Sequence, residues 1–213
     1  MTVKLVGSTS GSVSLQAPAS TTCAAHRVLT LPDADGTVAV GNTGKILQTV
    51  TVSDSVRETS GSISLPSSST YYSTPFAVTI TPSATSSKIL LMGHIMGEAT
   101  LDDYLIVWSI ERDISGGATT DILAPAAGSR PRCISVANNN FYTSEVLSTP
   151  SSIINFSGLV DSPNTTSATT YTVQVAAPQN TSVGFYYNRT VTDSDSVHYE
   201  RGLSWITAQE IAA

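Results

Sequence analysis

Two groups of neighbouring carboxylates invite a chemical reading: Asp102-Asp103, and Asp193 with Asp195. Glycoside cleavage needs two carboxylates across a cleft. Both groups flank strand-like segments, however, and Asp suits turns, so loop chemistry is the plainer reading. Asp193-X-Asp195 also lacks the rest of a calcium loop. His26, His94 and His198 stand far apart; one of them repeated around a threefold axis could ligate an ion. His94 lies inside the most apolar run and reads as a packed, hydrogen-bonded core or interface residue. Cys23 and Cys133 fall in separate regions without a Cys/His cluster, which argues against a disulfide framework and a zinc site alike. No Gly-X-Ser-X-Gly and no phosphate-binding loop occurs. The expectation is a protein that is not an enzyme, with no cofactor and no metal site.

Tyr71-Tyr72 and Tyr186-Tyr187 could serve as sugar platforms. Adjacent strand residues point to opposite faces, so each pair should place one ring in the core and one outward, at an interface or a receptor site. Trp108 and Trp205 read as core.

Such residues must be held by strands. Charged residues are 12% of the 213, half the usual share, and more than a quarter of the chain is Ser or Thr. Both residue types favour strands, turns and caps over helix interiors. The net charge of -6 argues against binding a nucleic-acid backbone. No apolar run is long enough to insert in a membrane as a helix, and none at the start has the length of a secretory h-region. Asn155, Asn164, Asn180 and Asn188 match the glycan-acceptor pattern, but without a secretory signal they read as strand and turn residues.

Residues 45–53, 59–65, 76–82, 86–97, 104–113, 152–163, 170–178, 182–190 and 203–213 carry the alternation or apolar runs of strands, with shorter candidates at 121–124 and 132–136. The run at 86–97 is the most apolar and should be central. Regular spacing without a helix predicts a β-sandwich or jelly roll. The first forty residues differ. Val13 and Leu15, then Leu29 and Leu31, sit in short alternating runs, and Asp35-Gly36 is a tight-turn signal. Those apolar positions are too sparse to wrap a core, so this segment needs partner chains. The expected division is residues 1–44, an attachment or trimerisation segment, and residues 45–213, a sandwich head.

GSTSGSVSLQAPA followed by TLPDADGTVAV resembles the N-terminal module of tail-fibre and other virion appendage proteins of tailed bacteriophages, of marine and cyanophage type. TITPSATSSKILL, AAGSRPRC, LVDSPNTTSATTYTVQV, YYNRT and TAQEIAA resemble the domain that follows it. Cys23, Ala24, Ala25 and His26 depart from the module's usual Gly/Asn spacing. The resemblance implies a homotrimeric structural protein of the virion: a short tail fibre that meets host glycan or an outer-membrane protein. The alternative is a capsid decoration protein or head fibre; a glycan-cleaving spike is a third reading. Assembly should rest on Val13, Leu15, Leu29, Leu31, Asp35 and Gly36. Receptor contact should fall in loops 67–74, 97–103 and 138–144, with Tyr72, Asp102, Asp103, Asn139 and Tyr142 as candidates.

Overall fold

The computed structural model describes residues 2–6, 12–16, 44–54, 63–65, 70–100, 106–136, 153–178 and 183–213. It divides into two units, Met1–Val40 and Gly41–Ala213. In the first, strands β1 (Thr2–Val6) and β2 (Ser12–Gln16) pair antiparallel, with Val3 opposite Leu15 and Leu5 opposite Val13.

The second unit is all-β: two main antiparallel sheets form a sandwich. Its strands are β3 (Ile46–Asp54), β4 (Ile63–Leu65), β5 (Tyr72–Ile80), β6 (Lys88–Ile95), β7 (Gly97–Ala99) and β8 (Val107–Ile114). They continue with β9 (Thr119–Ile122), β10 (Ser135–Val136), β11 (Ile154–Asp161), β12 (Thr169–Ala176), β13 (Val183–Tyr187) and β14 (Ser204–Ile211). One main sheet runs β11-β6-β14-β3. The other runs β10-β8-β12-β5, with β9 also paired to β8, and β4-β13-β7 forms a smaller third sheet.

Alternation decides which residues meet inside. Phe76, Val78 and Ile80 of β5, Tyr171, Val173 and Val175 of β12, and Trp108 and Ile110 of β8 face Ile89, Leu91 and Ile95 of β6 and Ile206 and Ala208 of β14 across one core. The third sheet adds Phe185 and Tyr187. Phe185 meets Trp108 edge-on at 5.5 Å, and Tyr187 meets Phe76 at 5.4 Å. Each Val, Leu, Ile or Phe among them contributes about 1.5–3 kcal/mol by burial.

Three elements differ from the sequence expectation. The run at 86–97 is two strands, not one: the chain leaves the four-stranded sheet at Met96 and enters the third sheet as β7. Met96 N donates to Ser204 Oγ at 3.0 Å and Met96 O accepts from Asn188 N at 3.0 Å, so this residue bridges the two sheets. The part that stays in the larger sheet, β6, is interior there, between β11 and β14. The fifth strand starts at Tyr72 and runs through Pro75, inside a stretch that the sequence presents as a Ser-rich loop. Pro75 is tolerated because β5 is an edge strand whose register against β12 shifts between Ser73 and Ala77. Finally, residues 97–99 of the expected receptor loop are a buried strand, with Glu98 fully buried.

Candidate functional site

Of the expected receptor contacts, Tyr72 lies at the start of β5 and is 40% exposed. Asp102, Asp103, Asn139 and Tyr142 lie outside the described residues, as do Leu29, Leu31, Asp35 and Gly36. Val13 and Leu15 lie in β2.

A cavity of about 310 Å³ opens beside Tyr72's neighbour, lined by Tyr71, Leu123, Gly128, Ser129, Arg130 and Arg132. The loop that forms it is tied at three points. Tyr71 Oη donates to the Arg132 carbonyl. Arg132 Nε donates to Ala124 O at 2.7 Å, and Arg130 Nη1 to Ala127 O at 3.1 Å. Gly128 supplies the turn, with φ at +65°. Burial first, then Cys133 and Asp121, push the Tyr71 phenol up to about 12 against the opposing pull of Arg132. The hydroxyl therefore remains a donor. Sequence reasoning missed Arg130 and Arg132; the signal was Arg-Pro-Arg in a chain poor in cations.

The outward side of the four-stranded sheet carries a second polar group. His94 and Trp205 are cross-strand neighbours, and His94 Nδ1 lies 2.7 Å from Asn155 Oδ1. Trp205, expected in the core, is half-buried instead, because Ser204, Ile206, Ala208 and Glu210 take the inward positions of β14. His94 is hydrogen-bonded, but half-exposed rather than packed in the core. Thr51 and Thr207 hydroxyls bond across the same sheet at 2.8 Å.

Three further carboxylates, Asp193, Asp161 and Glu111, have structural surroundings. Asp193 accepts from Arg189 at 3.1 Å and from Arg201 at 2.9 Å, while Arg189 and Arg201 pair by a backbone bridge that closes the loop between them. Arg189 also stacks 4.2 Å over the Tyr186 ring. Tyr187, its neighbour, is buried, so this pair does divide, but the Tyr71-Tyr72 pair does not: Tyr71 is half-buried and Tyr72 exposed, because both precede the inward-facing run of β5 that starts at Thr74. Asp161 accepts from Arg112 at 2.9 Å and from Tyr171 Oη at 2.8 Å. Glu111 stands opposite Asp121 on β9; burial, then Asp121 and Asp113, raise its carboxyl. Among the described residues no three His, Cys, Asp or Glu side chains gather as metal ligands. Asn188, a glycan-pattern match, is buried with φ at +57° and directly follows β13.

No protein-family model matches this chain, and no curated protein matches its sequence. Among solved structures it is similar to a chain from the structure of infectious bursal disease virus Gt strain, with a TM-score of 0.39 and 12% identity. That match covers 98% of this chain and 46% of the other, so this chain spans less than half the length of the one it matches.

Proposed function

We propose that this protein is a structural component of a tailed-phage virion: a short trimeric tail fibre whose sandwich is the head and whose first forty residues assemble and attach it. The observation that carries the reading is a contrast between the two units. The second unit closes its own aromatic and aliphatic core. The first presents a pair of five-residue strands, which on their own are marginal in water and gain stability from further strands. Such a segment suits completion by neighbouring chains. The appendage resemblance supports the same division, because its C-terminal stretches supply β6, β12 and β14 of the two main sheets.

In this reading Val13, Leu15, Leu29, Leu31, Asp35 and Gly36 serve assembly. Tyr72, Asp102, Asp103, Asn139 and Tyr142 belong to the surface that meets a host glycan or outer-membrane protein. Imaging of virions with this protein labelled tests it. Label at the tail supports the fibre; label spread over the shell makes the protein a capsid decoration instead. A particle without label removes both. A native mass measurement of the full chain should give three copies, and any other number overturns the trimer.

A further inference from the structure

We propose that the cavity beside Tyr71 binds a carboxylate-bearing sugar, a hexuronic acid unit of a surface polysaccharide, with Arg130 and Arg132 holding its carboxylate. This rests on the reading of the sandwich as a surface-contacting head, and names the ligand class and the place.

The argument starts from charge. In a chain of net charge -6, Arg112 is paired with Asp161, and Arg189 and Arg201 with Asp193. Arg130 and Arg132 have no carboxylate partner among the described residues, and both line the same cavity. Their placement follows from the sequence. Proline at 131 biases Arg130 toward extended backbone, and residues two apart on an extended segment fall on one side. Each guanidinium has five N–H donors and uses one in the loop contacts described above, so each keeps donors for a ligand in an orientation already fixed. Planar, bidentate recognition of carboxylate is what arginine does best. Ser129 adds a hydroxyl that can meet sugar hydroxyls, and Leu123 an apolar wall. The volume, about 310 Å³, lies at the small end of ligand pockets and suits one sugar unit rather than an extended chain.

The test is calorimetric titration of the full chain with glucuronate, and with glucose and acetate as controls. Glucuronate should saturate one site, with glucose and acetate each weaker by at least about tenfold, since each lacks half of the recognised chemistry. Arg130→Gln and Arg132→Gln should each weaken glucuronate by about tenfold or more. Among the described residues Arg130 bonds only within its own turn, so Arg130→Gln should leave the melting temperature unchanged and keep the test clean. Failure of glucuronate to saturate, equal binding of glucose or acetate, or full affinity in Arg130→Gln overturns the proposal. A failed titration beside label at the tail of the virion overturns the cavity and leaves the head reading intact. Saturation that depends on both arginines, on a protein absent from the virion, keeps the sugar site and overturns the head reading.

Discussion

Glu210 is fully buried, yet its carboxylate accepts from Gln48 Nε2 at 2.7 Å, from Ser83 N and Ser83 Oγ at 2.6 Å each, and from Ser87 Oγ at 2.7 Å. Burial alone raises such a carboxyl, but the bonds from Ser83, Ser87 and Gln48 outweigh it and bring the pKa from 4.5 to about 2. A group depressed in the folded state stabilises the fold above its unfolded pKa. That contribution is lost as pH falls from 4.5 through about 2. Glu210→Gln should therefore flatten the pH dependence of stability across that window, and should cost at least about 2 kcal/mol at neutral pH by leaving donors unpaired. Urea titrations of both proteins at several pH values would show it; parallel pH profiles would refute it. Asp193 behaves differently, as the shared acceptor of two arginines. Asp193→Ala leaves Arg189, 13% exposed, without its counter-ion and should cost about 1–3 kcal/mol. Its loop should then gain amide exchange ahead of the strands.

At the scale of the elements, Gly97 shows how closely the third sheet fits the rest. A Cβ added there would meet the Phe185 ring and lie 2.7 Å from the Tyr186 carbonyl. Gly97→Ala must push β7 away from β13 and should destabilise the fold by about 1–3 kcal/mol, read by thermal melting. The apolar run that contains Gly97 also shows where sequence reasoning reached and stopped. Alternation located the second half of β5 and nearly all of β12, at 76–82 and 170–178, because period two is a local property. The break at Met96 was not legible, because it depends on Ser204 and Asn188, far along the chain. Pro75 hid the first half of β5, because a strand that tolerates proline is known only once its position at an edge is known. The cavity was hidden for the same kind of reason: Tyr71 and Arg132 are 61 residues apart and meet only when the strands that follow them, β5 and β10, are brought into one sheet through β8 and β12.

For the whole molecule, every core residue among the described residues belongs to Gly41–Ala213. A chain lacking residues 1–40 should keep its melting midpoint within a few degrees, a change of about 1 kcal/mol or less. It should also lose the trimeric mass expected of the full chain. A truncated protein that stays trimeric would move assembly from the first unit to the sandwich. The two tryptophans supply a second way to see such a change. Trp108 has no exposure and packs against Phe185, whereas Trp205 is half-buried on the outward side of the four-stranded sheet beside His94. Emission from Trp108 should be blue and deaf to acrylamide, and that from Trp205 redder and quenchable. The chain thus carries an internal reference and a surface reporter in one spectrum. Any partner that settles on that sheet should silence quenching of one without altering the other.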